Sequence, residues 1–416
     1  MSPELMRRCA FTVGALLIYR LGAHIPLPGL DLGGLLNAGG LPSGGATVRL
    51  GLFSLSLLPY LWATFILQFV ALVSRRLRAS WTDSEHSRQI SERRTRVLAA
   101  AIAALQSHGI AHGLADVHGL VADPGPSFVI STVLTLTGGV LVLVWLAGQI
   151  TARGIGNGIA LILFAGMAPE WPNGILAMRQ LVGQGAISPA MAVVVALIAV
   201  AVVAVIVAVE RARRRLPLRF AERQAGGRTL PSQSAELALK INSAGIVPLF
   251  LASTVALIPF TVALSAGGDQ PGWRHVLLST FSYGRPLFFL FYVTAICFFT
   301  FLYTAFVCDP EQMADRLRTY GGAVPGVAPG EATAAHLDGI VSRIAAVGAA
   351  YLAILGLVPE LLIAQVAVPF YLGGISLMIC VCVTLDIEAQ VRAHLARSGE
   401  PLRAGTTPTS PAAPSR

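Results

Sequence analysis

The chain is 416 residues long, 55% apolar and only 12% charged, with a formal net charge of +9. Ordinary soluble domains carry about twice that charged fraction, so the composition excludes a water-soluble globular enzyme and points to a polytopic membrane protein. Lys240 is the only lysine, and its setting Ala235-Glu-Leu-Ala-Leu-Lys-Ile-Asn242 lacks the glycines of a phosphate loop, which excludes a Walker-type nucleotide site.

Ten apolar stretches follow one another. The first, near 9–25, starts after Arg7 and Arg8 and runs into Ile25-Pro-Leu-Pro-Gly29. It has no small-residue cleavage site, so it reads as a retained span and not as a signal peptide. Before the second stretch, 52–73, lies a segment with Gly33, Gly34, Gly39, Gly40, Gly44 and Gly45. It is too polar to span a membrane. It reads either as an external loop or as a loop dipping into the membrane, where irregular backbone survives only against protein or a water-filled cavity. The third stretch, 97–115, carries His108 and His112 at helical i, i+4 spacing, but Gly109 stands where a metalloprotease helix needs Glu. Interfacial packing is the expected role, and no metal site is assigned. The five cysteines lie in or beside apolar stretches and read as small apolar fillers.

Between the fourth and fifth stretches, 128–150 and 156–178, comes Arg153-Gly-Ile-Gly-Asn-Gly-Ile159. No strand precedes it, so the glycines suit a tight turn and close helix packing, and Asn157 suits a helix cap or a bond to neighbouring backbone. The sixth stretch, Ser188 to Val209, has no charge. At about 1.5 Å per residue it can cross a hydrocarbon core of roughly 30 Å. Stretches 243–264, 286–307, 340–361 and 366–386 complete the set. Two long loops, 210–242 and 308–339, look structured, and the Pro-, Thr- and Ser-rich tail 397–416 reads as disordered. Glu360, Asp386 and Glu388 are placed at span ends, no paired intramembrane carboxylates can be assembled, and the expected absence of buried carboxylates argues against a proton-coupled transporter.

Basic residues fall on alternate loops. With the N-terminus inside, 25 of the 30 lie on the inner side; the other five are Arg20, Arg49, Arg179, Arg274 and Arg285. That bias places both termini in the cytoplasm.

A series of motifs then carries a resemblance. It comprises Gly14-Ala-Leu-Leu-Ile-Tyr-Arg-Leu-Gly22, Ser43-Gly-Gly-Ala46, Leu58-Pro-Tyr60, Gln149-Ile-Thr-Ala-Arg-Gly-Ile-Gly-Asn-Gly158, Lys240-Ile-Asn-Ser-Ala-Gly-Ile-Val-Pro248, Tyr320-Gly-Gly-Ala-Val-Pro-Gly326 and Pro369-Phe-Tyr-Leu-Gly-Gly374. In order and spacing the chain resembles the SecY family, the channel subunits of the bacterial protein translocase, from about Arg7 to Ala396. The resemblance implies an all-α membrane protein of ten transmembrane helices, in two pseudo-symmetric five-helix halves (1–179 and 180–396) around a central hourglass pore. It implies a pore ring of Leu57, Leu61, Ile159, Leu163, Phe250 and Ile379, with Phe250 where the family usually has an aliphatic side chain. Such a ring dewets a constriction and still parts around a polypeptide of any sequence. The glycine-rich segment 31–50 becomes the plug, shorter than usual. The lateral gate takes in Trp62, Gln106, Ser253 and Ile258, with Trp62 where a small polar residue is usual. Arg223, Arg228 and Ala328 match docking positions of the two long loops, Ala328 replacing the usual Arg.

Implied partners are SecE and SecG, the SecA ATPase or the ribosome, substrates bearing signal sequences, and lipid; the implied location is the bacterial plasma membrane, and no cofactor is implied. The expected function is conduction of unfolded polypeptides across the membrane with lateral release of transmembrane segments. Other readings are an accessory channel for few substrates, a secondary transporter, for which midplane ligands are lacking, and a membrane enzyme, for which no catalytic constellation is found.

Overall fold

The computed structural model describes residues 3–30, 50–73, 85–115, 120–220, 223–225, 228–230, 234–265, 272–280, 285–366 and 374–397. A helix coincides with each of the ten apolar stretches. Among the described residues, seven helices are long and apolar enough to cross a membrane, and two apolar helices, Leu58–Ala71 and Val247–Ala256, are shorter. The chain divides into two compact units, Met1–Pro169 with Cys382–Arg416, and Glu170–Val381.

The first unit holds α1 (Pro3–Ala23), α2 (Leu58–Val73), α3 (Glu85–Ala115), α4 (Pro126–Arg153) and α5 (Gly158–Met167). α4 is its axis and packs against the other four. Pro126 opens α4 at the position where a missing N–H costs nothing. Its buried face presents Leu136 and Val140 to Leu27, Leu55 and Ala103. Two glycines set how closely chains approach α4. A Cβ on Gly139 would overlap the Leu52 carbonyl, and one on Gly158 would overlap the backbone of Ala147.

The second stretch is helical only from Leu58. Residues 51–57 form a bridge and turns, so the span read as 52–73 starts later than expected. Ser56 has φ 51, the left-handed region that side chains other than Gly, Asn and Asp seldom adopt, and this interrupts any helix through it. This segment also fastens the chain around residues 31–49. Leu27 N donates to Leu50 O at 3.1 Å, Leu52 N to Ile25 O at 2.9 Å, and Ala122 N to Gly29 O at 3.2 Å. Both sides of that interval are therefore hydrogen-bonded to described backbone.

The second unit contains α6 (Glu170–Gly183), α7 (Pro189–Arg211), α8 (Val247–Ser265), α9 (Gly272–Thr280), α10 (Pro286–Val307), α11 (Pro310–Thr319) and α12 (Glu331–Val366). α10 packs against both α8 and α12. Gly356 of α12 sits close to Ile296, Leu249 and Tyr292, a small residue at a helix crossing as expected in membrane bundles. On α7 only Val195 and Ile206 are buried; its other apolar side chains suit a lipid environment. The last helix, α13 (Gly374–Arg397), is shared, with residues from Cys382 onward assigned to the first unit.

Outside the spans the chain also forms strands. Strands β1 (Arg213–Phe220) and β4 (Ser234–Lys240) pair antiparallel, β5 (Gly322–Ala323) adds to the free edge of β1, and β2 (Arg223–Ala225) pairs with β3 (Arg228–Leu230). The all-α expectation therefore omitted a small sheet outside the spans. Alternation explains it. Leu216 and Leu218 are buried while Arg213, Arg215 and Arg219 are exposed, as a strand with period 2 demands. One core joins both long loops: Leu216 and Leu239 from the hairpin, Ala314 from α11, and Leu337, Ile340 and Ile344 from α12.

Candidate functional site

Each expected ring residue sits on or beside an apolar helix. Leu57 is fully buried but precedes the first residue of α2. Leu61 lies one turn later, and its N–H donates to the Leu57 carbonyl at 3.1 Å. Ile159 and Leu163 share the same i, i+4 relation on α5, which stacks them on one face; Leu163 is buried and Ile159 partly so. In the second unit Phe250 of α8 and Ile379 of α13 are buried. The Phe250 carbonyl accepts from Ser253 Oγ and Thr254 Oγ1, each at 2.9 Å, so two polar side chains turn back onto the helix and leave its surface apolar.

The orientation of α5 is set by the turn ahead of it. Asn157 caps the helix, Oδ1 accepting from Ile159 N at 3.0 Å and from Ala160 N at 3.5 Å. Ile155 N donates to Thr12 Oγ1 at 2.9 Å, Gly156 N to Gln390 Oε1 at 2.8 Å, Asn157 N to Asp386 Oδ2 at 3.2 Å, and Gly158 N to Thr151 Oγ1 at 2.9 Å. The capping role of Asn157 was legible in the sequence. The partners of the turn 155–157 on α1 and α13, 143 to 234 residues away, were not.

Of the gate positions, Trp62 lies on α2 with its ring edge-on to Phe65 at 6.1 Å. Gln106 is half-buried on α3. Ser253 is bonded as above. Ile258 is exposed and immediately precedes Pro259, which lies inside α8. Proline there removes one ladder bond and marks a place where the helix can bend.

Arg223 and Arg228 are placed by backbone pairing, opposite Leu230 and Ala225 respectively. Ala328 is exposed, and its carbonyl accepts from Thr333 Oγ1 at 2.8 Å. The exposed face of β1 adds Arg213, Arg215 and Arg219, and Lys240 stands directly opposite Arg213. Like charges directly opposite on a ladder repel, so this face favours an anionic surface. Arg215 meets Glu236 there, at 3.4 Å with both side chains exposed, a pair worth little in water. The docking residues named from sequence did not include this stripe, although the alternation Leu216, Leu218 among arginines and Leu237, Leu239 between Glu236 and Lys240 signals it.

The plug glycines Gly33, Gly34, Gly39, Gly40, Gly44 and Gly45 lie outside the described residues. His108 and His112 are exposed, with ring centroids 4.5 Å apart. Among the described residues no three His, Cys, Asp or Glu side chains are grouped for a metal. Glu360 lies at the end of the candidate membrane span Glu331–Leu361, after Pro359 in α12, but it is only 4% exposed, so the expected absence of a buried carboxylate does not hold there. Its helix runs on to Val366.

The family profile described as SecY matches residues 51–388. The "Protein translocase subunit SecY" of Escherichia coli (strain K12) is 39% identical over 407 residues, covering 94% of this chain and 91% of that protein. Among solved structures, "The structure of a protein conducting channel" superimposes with a TM-score of 0.66 at 15% identity, covering 97% of this chain and 95% of that one. Another, described as "The plug domain of the SecY protein stablizes the closed state of the translocation channel and maintains a membrane seal", gives 0.64 at 18% identity with the same coverage. At such identities the structures speak for the fold.

Proposed function

The chain belongs to the SecY family of protein translocase subunits, and on that premise we propose that it is a bacterial plasma-membrane channel that passes unfolded secretory polypeptides and releases transmembrane segments sideways into lipid. The single observation that carries this is the 39% identity to a translocase subunit across 94% of the chain. In this reading all ten helical stretches cross the membrane, both termini are cytoplasmic, and the two five-helix halves, 1–179 and 180–396, enclose the pore. Leu57, Leu61, Ile159, Leu163, Phe250 and Ile379 form its aliphatic and aromatic waist, which excludes water and ions by dewetting. In the same reading the segment 31–50 is the plug. SecE and SecG complete the channel, and the basic hairpin receives SecA or the ribosome. The chain itself performs no catalytic step.

The test is complementation. With the resident SecY depleted, this chain is expected to sustain export of signal-bearing proteins and growth. Failure to move any substrate, with the protein present in the membrane, overturns the channel reading. Export of a narrow subset supports the second reading, an accessory channel, which the uncharged Ala328 and the bulky Trp62 favour.

Trp62 gives a sharper expectation. Its edge contact with Phe65 is worth about 0.5–1.5 kcal/mol beyond area burial, while each central leucine of a signal sequence favours lipid by about 0.3–0.6 kcal/mol. Trp62→Ser is therefore expected to let signal sequences with roughly one to five fewer leucines open the gate. A leucine-titrated export reporter measures this, and an unchanged threshold removes Trp62 from the gate.

A further inference from the structure

The turn between α4 and α5 is held by residues that the pore reading does not use. From Gly154 to Ala160, seven successive backbone N–H groups lie where one helix has ended and the next has begun, so a helical ladder does not serve them all. Every one has an acceptor. Gly154 N reaches Ile150 O at 2.7 Å, Gly158 N uses Thr151, and Ile159 and Ala160 use Asn157. The other three acceptors come from distant helices: Thr12 on α1, and Asp386 and Gln390 on α13.

These acceptors are themselves held. Thr12 is 8% exposed, and its hydroxyl donates to Arg8 O at 3.1 Å. Gln390 Nε2 donates to Asp386 Oδ2 at 3.2 Å, so the amide and carboxylate brace each other one turn apart. Gly156 has φ +88, and a Cβ there would press on Leu161; the peptide is turned toward α13 by a conformation that favours glycine. The turn cannot shift without giving up bonds to two helices at once. Ile159 follows it directly, and Leu163 follows one turn later.

We propose that Asp386 and Gln390, with Thr12, are positioning residues for the pore: they latch the 154–158 turn and so fix the height and rotation of α5 that place Ile159 and Leu163 at the waist. This rests on the pore-ring reading. A bond from a backbone N–H to a carboxylate or amide on another helix transmits small displacements, because packed helices move as rigid bodies. Loosening it lets α5 rock and the waist admit ions.

The experiment is closed-state ion leak through single channels of the complex with SecE and SecG in planar bilayers, which only folded channels produce. Asp386→Ala with Gln390→Ala is expected to raise the leak by roughly two- to thirtyfold, as for other changes along a coupled network. Asp386→Asn with Gln390→Glu keeps both acceptors and is expected to restore the seal. Ile159→Ser with Leu163→Ser tests the ring on its own. If the serine pair leaks and the alanine pair does not, the latch is overturned and the ring stands. If neither leaks, both fall. If the acceptor-retaining pair leaks as much as the alanine pair, hydrogen bonding to the turn is not the cause and the proposal fails. Should the alanine pair not assemble, Thr12→Val removes one latch bond at nearly constant volume, and an unchanged leak in it overturns the proposal equally.

Discussion

Gly158→Val is expected to collapse the packing of α5 on α4 and to cost at least about 3 kcal/mol, the upper end of ordinary overpacking. The three atoms nearest a Cβ at that position are all backbone of Ala147. A side-chain tip could swing away, but a carbonyl within α4 cannot move without breaking the helix ladder or pushing α4 off its neighbours. Gly139→Ala meets the Leu52 carbonyl in the same way and is expected to fail likewise. The control lies one residue away. Gly138 and Gly148, also on α4, have nothing within 4 Å of a built Cβ, and alanine at either is expected to be neutral or to stabilise by about 0.5–1 kcal/mol through helix propensity. Thermal unfolding in detergent ranks the four. Equal midpoints for Gly138→Ala and Gly139→Ala would remove the close-approach argument.

Leu337→Asp is expected to release both long loops together. Leu337 is fully buried in the core shared by β1, β4, α11 and α12. A carboxylate there has no water, and truncation alone, Leu337→Ala, costs about 2–5 kcal/mol. Burying an uncompensated charge belongs with the largest single-site effects, above about 4 kcal/mol. A shared core predicts a shared outcome. Limited proteolysis should cut 210–242 and 308–339 in parallel, and the docking proposed for the basic hairpin should be lost with them. Cleavage of the second loop alone would mean that the two do not fold as one body. Exposed arginines such as Arg219 are expected to matter for docking and not for this protection, because their side chains contribute nothing to the core.

Asn157 stood before an apolar run after a glycine-rich turn, and capping was visible from that spacing. Thr12, Asp386 and Gln390 gave no local sign, because the groups they bind are more than 140 residues away along the chain. Gly138 and Gly139 are the same letter in the same helix and differ only in what lies opposite. Leu57 looked helical by composition, yet Ser56 with φ 51 places the helix start one residue beyond it. The small sheet was readable from the alternation in 213–219 and 234–240, but the membrane composition drew attention to helices alone.

What the sequence determined unaided is the membrane class, the positions of the apolar stretches and the family. Transfer to lipid is summed over consecutive residues, and the order of motifs is itself one-dimensional. Which glycine is indispensable, which acceptors hold the turn before α5, how two loops share one core and that Glu360 is buried were decided only in the tertiary structure. Close packing and hydrogen bonding depend on what the rest of the fold brings within a few ångströms, and no local stretch of chain records that.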